Sequence, residues 1–372
     1  MKSFLKMIFQ IMRRLDYIIL YRFYCCILPV HSHQVLFLSD SRKEMSGNFA
    51  FIYDAICHDY DIKMHLYQST DKHPRRQMCK DMAQSRYILV DDYYPIIYPI
   101  PLRKKTRLIQ VWHAVGAFKT VGFARRQNHD RFSITHRNYT DTIVSSEMIR
   151  KDYARAFRMD VAHVHSLGIP RTDVFFDENY IMSKRQELYQ LYPFLKDKKV
   201  VLFAPTFRGN NVHKAYYDFD KIDFHHFCQS LSHEYFCIIK MHPFIRNFST
   251  DDLDPSFYLN LSSQREINDL LLITDILITD YSSVIFEASM LDIYTIFYAY
   301  DLQDYTSSRD FFYPYDQYTY GPVVKDQNQL EEAILHPLFD RKKKERFQQY
   351  FMSSCDGHAT ERFVEKLLKE DK

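Results

Sequence analysis

From residue 34 onward, short apolar runs alternate with stretches in which apolar residues recur every three or four positions. The runs predict buried β-strands, and the longer repeats predict amphipathic helices. Strands of nearly continuous apolar character separated by helices are typical of parallel sheets covered on both faces, so the pattern predicts an α/β fold. The strands predicted in the first half of the chain are 34–38, 62–67, 86–90, 107–112, 142–145 and 161–167.

The alternation starts again after residue 176, which predicts a second α/β domain of similar size. Its predicted strands are 200–204, 235–240, 257–259, 275–279 and 294–298. Its predicted helices include 178–191, 221–232, 264–273, 283–291, 327–335 and 340–352, and a last helix is predicted over 358–370. We predict two Rossmann-like domains, 31–175 and 176–350, followed by a C-terminal helix over 351–372. Ligands of such folds bind at the carboxyl ends of the strands, so we expect the ligand site in a cleft between the two domains.

The first 30 residues form a separate segment with an apolar and a basic side. At helical spacing, one stripe contains Phe4, Ile8, Ile11, Leu15 and Ile18. Five basic residues and one acidic residue accompany it, and they interrupt the apolar run too often for a membrane span or a signal peptide. The pattern predicts one amphipathic helix that lies on an anionic membrane surface. The alternative is an ordinary amphipathic helix that packs on its own domain.

Composition narrows the function classes. The formal net charge of +2 over 372 residues argues against a dedicated nucleic-acid binder. Seven cysteines without a CxxC pair predict buried free thiols in a reducing compartment. The chain has 7 glycines, where average usage would give about 26, and it contains neither GxGxxG nor GxxxxGK[ST]. Phosphate groups would therefore be bound by helix N-termini, hydroxyls and basic side chains.

Polar residues follow several predicted strands at the end where ligands of α/β folds bind. A single tryptophan precedes His113 after the fourth strand, and Lys240 and His242 follow a strand of the second domain. The predicted strand 275–279 runs into Asp280, Ser282 and Ser283, and a helix follows. A helix N-terminus with hydroxyls is a suitable anion site, although a serine there is also a common helix cap.

Close histidine pairs occur at 31/33, 163/165 and 225/226. No third ligand at metal-binding spacing accompanies them, so we predict neither a metal nor another cofactor.

Taken together, these motifs resemble the CDP-glycerol:poly(glycerophosphate) glycerophosphotransferases, the teichoic-acid primases and polymerases of bacteria. The resemblance covers about residues 34–320 and rests on the order and spacing of motifs that are weak one by one. These motifs are 110–119, 167–173, 204–208, 240–243, 275–287, 301–305 and 321–322. The resemblance implies a GT-B-like fold that holds the nucleotide mainly in the second domain. It also implies transfer of an alditol phosphate from a CDP-alditol to a hydroxyl of a lipid-linked acceptor, with release of CMP.

The resemblance also assigns roles to residues. It implies that His113 is the base and that His242 contacts the diphosphate. It implies that Ser282 and Ser283, which follow Asp280 and Tyr281, bind phosphate. The remaining predicted substrate-binding residues are Thr206, Arg208, Lys240, Asp280, Glu287 and Arg309. Phosphoryl transfer requires charge neutralisation and an aligned nucleophile, which the basic residues of this set can supply without a metal. Glu287 is suited to ribose hydroxyls, or alternatively to a surface or helix-pairing role.

One departure from the family pattern follows the first histidine. Glycine and threonine are common there, whereas this chain has Ala114 and Val115, and Gly116 comes two residues later. The missing threonine hydroxyl affects the expected contacts with the acceptor rather than the role of His113.

The expected partners are CDP-glycerol or CDP-ribitol, a prenyl-diphosphate-linked saccharide acceptor and the cytoplasmic face of the cell membrane, where the protein would be peripheral. Two other functions remain open at this point. A GT-B glycosyltransferase would use a nucleotide sugar, and a non-catalytic scaffold of a polymer-synthesis complex would not bind cytidine nucleotides.

Overall fold

The structure is a computed structural model that describes residues 2–126, 130–209, 214–245, 247–263 and 266–369. The chain divides into two compact units. Unit 1 consists of Met1–Asp173 and Phe351–Lys372, and unit 2 consists of Val174–Tyr350. The domain boundaries given above stay a prediction. Among the described residues, no helix combines the length and the apolar character needed to cross a membrane.

The N-terminal segment is helical, as predicted, and it is divided into two helices. Helix α1 spans Lys2–Met12 and α2 spans Leu15–Ile27. Tyr17 and Tyr21 are the buried residues of α2, and α2 packs against α4 (Arg75–Gln84). At 100° per residue these tyrosines lie about a third of a turn away from the predicted apolar stripe. The tertiary contact therefore uses a different face, and the apolar stripe alone could not reveal it.

Unit 1 is built on a six-stranded sheet in the order β2-β1-β3-β4-β5-β6, in which all neighbouring strands are parallel. This confirms the predicted α/β class. The strands are β1 His31–Ser39, β2 Asp61–Leu66, β3 Ser85–Val90, β4 Arg107–Gln110, β5 Asp141–Ile143 and β6 Val164–His165.

Three strands of unit 1, β4, β5 and β6, are shorter than predicted. Strand β4 ends at Gln110 because Trp112 has φ +49°, outside the extended region. Val161–His163, the beginning of the predicted last strand, is a 3₁₀ turn.

Two further helices of unit 1 follow its strands: α3 spans Asn48–Ile56 and α5 spans Arg150–Phe157. Near the end of the chain, α13 spans Ala359–Phe363 and continues as a π-helical turn over Val364–Lys369. Phe363 and Leu367 are completely buried in the same apolar cluster as Val35 and Phe37 of β1. The end of the chain thus completes the core of unit 1. Residue 370 of the predicted last helix lies outside the described residues.

Unit 2 contains a second six-stranded parallel sheet, in the order β12-β11-β10-β7-β8-β9. Its strands are β7 Lys199–Phe203, β8 Tyr235–Ile239, β9 Tyr258–Asn260, β10 Ile276–Thr279, β11 Tyr294–Tyr298 and β12 Val323–Val324. Strand β12 was not predicted, because two residues are too few to show a period.

The helices of unit 2 mostly match the predicted pattern. They are α6 Glu178–Leu191, α7 Phe224–Ser230, α8 Ile267–Leu271, α9 Val284–Ser289, α10 Leu302–Ser308, α11 Gln327–Leu335 and α12 Arg341–Phe351. Helix α10 was not predicted because it is largely polar and Tyr305 is its only buried residue. Residues 264–265 of one predicted helix lie outside the described residues.

The cysteines correct one prediction. All seven are free thiols, as predicted, but only Cys79, Cys237 and Cys355 are buried. Cys26 is exposed, so the prediction of uniformly buried thiols is wrong. Cys26 follows Cys25 on α2, and that helix exposes much of its apolar surface.

Candidate active site

His113 belongs to unit 1, and the other nine predicted site residues belong to unit 2. Each group lies close to the carboxyl ends of parallel strands in its own unit.

In unit 1, His113 follows β4 and presents its ring to solvent. Its side chain is 43% exposed, and its Nδ1 atom lies 3.5 Å from Oδ2 of Asp92. Asp92 comes directly after β3 and Asp91, so two neighbouring strand ends bring the carboxylate to the imidazole. Asp92 was not among the predicted site residues. The signal that could have revealed it is the acidic pair of Asp91 and Asp92 at the end of a predicted strand.

The departure from the family pattern lies in a tightly packed loop. Val115 is 1% exposed, so its side chain points into the protein. Gly116 has φ +67°, a conformation that favours glycine, and its carbonyl accepts a 2.7 Å hydrogen bond from the Tyr153 hydroxyl. Valine in place of the family's common threonine at residue 115 therefore changes a contact in the protein interior.

In unit 2, Arg208 lies inside the protein and joins three motifs. Its Nη1 atom donates to Oδ2 of Asp280 at 2.6 Å and to the Thr206 carbonyl at 2.8 Å. Its Nε and Nη2 atoms donate to the two carboxylate oxygens of Asp301 at 2.8 and 2.7 Å. Arg208 is 6% exposed, and Asp280 is fully buried. The guanidinium thus uses four of its five N–H donors on internal partners.

Aromatic rings complete this cluster. The rings of four tyrosines surround the guanidinium carbon, with their centroids 5.0 to 5.3 Å away: Tyr217, Tyr281, Tyr300 and Tyr305. Tyr281 and Tyr305 stack with their centroids 3.9 Å apart. Burial alone would lower the pKa of Arg208, but the carboxylates of Asp280 and Asp301 outweigh it and raise that pKa far above the ordinary value. Arg208 therefore stays charged, and the cluster is held by ion pairs and cation–π contacts.

Thr206 and Arg309 border the same loop. The backbone N–H of Thr206 donates to Oδ1 of Asp280 at 2.7 Å. The guanidinium of Arg309 donates to the carbonyl of Gly209, and its carbon lies 4.9 Å from the centroid of the Phe207 ring. The structure thus brings Thr206, Arg208, Asp280 and Arg309 together around one loop.

Lys240 and His242 come directly after β8, the strand that neighbours β7 in the sheet. Lys240 is 7% exposed, and its Nζ atom donates to the Ser262 carbonyl at 3.2 Å. The backbone N–H of Phe244 donates to Nδ1 of His242 at 3.2 Å. Because that nitrogen accepts, a neutral His242 carries its proton on Nε2 and can donate from there. Its ring centroid is 4.7 Å from that of Phe207, so this group adjoins the Arg208 loop.

The remaining three predicted residues belong to the start of α9. The hydroxyl of Ser282 accepts from the Val284 N–H at 3.4 Å, and Ser283 makes no side-chain capping bond. Helix capping thus uses only one long hydrogen bond of Ser282 and none of Ser283. Glu287, by contrast, is 1% exposed, so the surface alternative for it is wrong.

Among the described residues, no group of three or more His, Cys, Asp or Glu side chains is arranged to hold a metal ion.

Comparisons with known proteins agree with the motifs. A sequence profile described as CDP-Glycerol:Poly(glycerophosphate) glycerophosphotransferase matches residues 19–369. The chain is 44% identical over 353 residues to a teichoic acid poly(ribitol-phosphate) polymerase of Bacillus spizizenii, and this alignment covers 92% of the present chain and 57% of the polymerase. It is 35% identical over 365 residues to a teichoic acid ribitol-phosphate primase of the same species, and that alignment covers 93% of each protein.

The fold has a solved counterpart. A variant of the wall teichoic acid polymerase TagF superposes with a TM-score of 0.78 at 21% identity, covering 99% of this chain and 98% of that one. The likeness shows that the fold is GT-B-like. Together with the sequence profile and the two Bacillus relatives, it establishes that the chain belongs to the CDP-glycerol:poly(glycerophosphate) glycerophosphotransferase family.

Proposed function

We propose that the chain transfers an alditol phosphate from a CDP-alditol to a hydroxyl of a lipid-linked acceptor, with release of CMP, in the synthesis of teichoic acid or a related cell-surface polymer. The observation that carries this proposal is the solvent-facing imidazole of His113 beside the Asp92 carboxylate, in a member of this family. The chain spans 57% of the length of the polymerase it resembles, so the activity is proposed for the residues present here.

His113 is the proposed general base. Asp92 faces Nδ1 and favours the tautomer with its proton on that atom, which leaves Nε2 to accept the proton of the acceptor hydroxyl. The hydroxyl oxygen attacks the phosphorus that carries the alditol. The bond from that phosphorus to the bridging oxygen breaks, and CMP leaves with the bonding electrons. A positioned base of this kind contributes about 10²- to 10⁴-fold to the rate.

His242, Lys240, Ser282 and Ser283 are the proposed phosphate ligands. The proton on Nε2 of His242 suits a phosphate oxygen, and the two serine hydroxyls are little used by helix capping. Developing charge on the diphosphate is stabilised by fixed donors and cations of this kind.

The buried residues have a different proposed role. Arg208 and Asp280 already bond each other inside unit 2, so we propose that they shape the loop that carries Thr206. Glu287 is also interior at 1% exposure, and we propose that it too supports the structure of unit 2 instead of contacting ribose hydroxyls. Arg309 borders the loop from the outside and remains the proposed cation at its rim.

Release of CMP tests the function. The protein is incubated with CDP-glycerol or CDP-ribitol and a prenyl-diphosphate disaccharide. No CMP from either donor across several acceptors would refute the proposal. Release of a nucleoside diphosphate from a sugar nucleotide would favour a glycosyltransferase, and calorimetry without binding of any cytidine nucleotide would favour a scaffold. His113→Ala should lower kcat by about 10²- to 10⁴-fold, whereas the exposed His163 offers a control variant in the same unit, His163→Ala.

A ribitol donor is the second candidate. Both Bacillus relatives compared above are named for ribitol phosphate, at 44% and 35% identity. A direct competition between CDP-ribitol and CDP-glycerol, read as the ratio of kcat/KM values, decides between the two donors. Mass measurement of the product then distinguishes addition of one unit from polymerisation.

We also propose that the N-terminal helices place the protein on the cytoplasmic face of the membrane. One stripe of α2 at a spacing of four residues is 49–59% exposed: Leu15, Ile19, Phe23 and Ile27. On α1, Leu5, Phe9 and Met12 are 56–66% exposed. Apolar surface of this size beside five basic residues suits an anionic bilayer. Sedimentation with vesicles that contain anionic lipid tests the proposal, and equal binding to neutral vesicles would refute the charge component.

A further inference from the structure

The backbone just before His113 has an unusual conformation. Trp112 has φ +49°, the left-handed region that bulky side chains rarely adopt. Its ring is 2% exposed and makes edge contacts with Tyr93 and Phe157 at centroid distances of 5.5 and 5.4 Å. Such a conformation persists only where the surroundings hold it, and these residues tend to occur at functional sites.

Asn48 holds one side of this backbone. Its side chain is buried, and its Nδ2 atom donates to the carbonyls of Val111 and Trp112 at 3.1 and 2.9 Å. Its Oδ1 atom accepts from the Arg171 N–H at 3.1 Å. Asn48 is the first residue of α3, yet its amide bonds the turn after β4 instead of the start of its own helix.

Gln110 holds the other side. It is completely buried, and its Oε1 atom accepts from the Trp112 N–H at 2.8 Å. Its Nε2 atom donates to the Asp92 carbonyl at 3.1 Å and to the Tyr139 hydroxyl at 2.9 Å. One side chain thus bonds the backbone of Trp112, which directly precedes His113, and the backbone of Asp92, whose carboxylate lies beside the His113 ring.

We propose that Asn48 and Gln110 are positioning residues for His113. They hold Trp112 in the left-handed conformation, and this directs the next residue, His113, toward Asp92. Arg171 extends the arrangement, because its Nη1 atom donates to the His113 carbonyl at 2.8 Å. The motif 167–173, to which the proposed reaction assigns no direct role, thereby gains one. The inference rests on the proposed role of His113 as base.

The test replaces the Asn48 amide without changing its size. Asn48→Asp keeps the acceptor for the Arg171 N–H and removes both donors to residues 111 and 112. Gln34→Glu is the matched control. Gln34 is equally buried in unit 1 and also donates two bonds, to the Asp81 carbonyl at 3.2 Å and to the Ser85 hydroxyl at 2.9 Å. Those partners lie at the amino end of β3, whereas His113 follows the carboxyl end of β4.

The first readout needs no substrate. Trp112 is the only tryptophan of the chain, so the intrinsic tryptophan emission reports this turn alone. We expect Asn48→Asp to shift the emission to longer wavelength and to increase quenching by acrylamide, and Gln34→Glu to leave both unchanged. Unchanged emission and quenching in Asn48→Asp would overturn the proposal, whatever the enzyme does.

The second readout is kinetic. We expect Asn48→Asp to lower kcat for CMP release by about 10- to 100-fold, with KM for the CDP-alditol nearly unchanged, because misplacement of a catalytic group by about 1 Å costs up to 10²-fold. In a His113→Ala background the same change should cost less than about twofold, since a positioning residue acts through the group it positions. An equal loss in both backgrounds would show a merely structural role and overturn the proposal.

A second variant tests the proposal in case Asn48→Asp folds poorly. Gln110→Glu keeps the acceptor for the Trp112 N–H and removes the donors to Asp92 and Tyr139, and the same spectroscopic and kinetic changes are expected. If the wild-type protein releases no CMP from any donor, the proposed function fails, whereas the emission measurement still decides whether these side chains hold the turn.

Discussion

The ion pairs of Arg208 allow a quantitative prediction about unit 2. In Arg208→Met, the guanidinium is replaced by an apolar side chain of similar length, and four hydrogen bonds to Asp280, Asp301 and Thr206 are lost. The side chain of Asp280 is 1% exposed and that of Asp301 is 18% exposed, so water cannot replace the lost partner of Asp280. Breaking a buried pair in this way costs about 3–5 kcal/mol, because a buried charge remains uncompensated.

Graded variants separate charge from geometry. Arg208→Lys keeps the charge but cannot make the two-pronged contact with Asp301, and we expect a loss of about 1–3 kcal/mol. Asp301→Asn leaves the Arg208–Asp280 pair in place and should cost a similar amount. Asp304→Asn is the control, because Asp304 is an exposed carboxylate on the same helix, α10. Its expected cost is within about 0.5 kcal/mol.

The assay must read unit 2 on its own, because unfolding of a chain with two units need not be two-state. Amide hydrogen exchange by mass spectrometry does so. The N–H groups of Thr206 and Tyr281 donate to Asp280 at 2.7 and 2.6 Å and should lose protection in Arg208→Met. Far-UV circular dichroism in urea gives the overall loss of stability. A free energy of unfolding of Arg208→Met within about 1 kcal/mol of the wild-type value, with unchanged hydrogen exchange at these amides, would refute the reasoning.

Three further predictions concern unit 1. Burial lowers the pKa of His136 to about 3, so below the unfolded-state value of about 6.5 the unfolded chain binds a proton that the folded chain does not. The free energy of unfolding should therefore fall as pH drops below 6.5, by about 2 kcal/mol at pH 5. Urea unfolding of His136→Asn should lack this loss. An equal dependence of the free energy of unfolding on pH in wild type and variant would contradict the prediction. Asp92→Asn should lower kcat for CMP release by about 10- to 100-fold at constant donor KM, whereas the exposed-site control Asp59→Asn should not. The double variant Ile19→Gln/Phe23→Gln should reduce binding to anionic vesicles at least about tenfold, because each half-exposed side chain contributes about 1 kcal/mol on insertion. The control is Leu191→Gln, which changes an exposed leucine on α6. Unchanged binding of the double variant, or an equal loss in the control, would contradict the proposed membrane face.

Most of the fold could be predicted from the sequence, because the apolar strands of a buried parallel sheet leave a local signal. The predicted strand 294–298 and the predicted helices 178–191 and 327–335 match the structure at both ends. The errors occur where the deciding contact is distant in sequence. The burial of Tyr17 and Tyr21, where α2 packs against α4, was not predicted because α4 lies in a later part of the sequence. Helix α10 was missed because its polar residues carry no apolar period.

The candidate site divides in the same way. Residue types and their order along the chain were enough to predict the α/β class, the family and the positions of His113 and His242 after strands. The fold was needed to show that Arg208 is interior, that Asp92 lies beside His113, and that Asn48 and Gln110 both bond the turn at Trp112. Whether a charged side chain faces a ligand or a buried partner depends on which strand ends become neighbours. Strand order, such as β10 between β11 and β7, brings together residues more than 70 positions apart, and no local pattern specifies it.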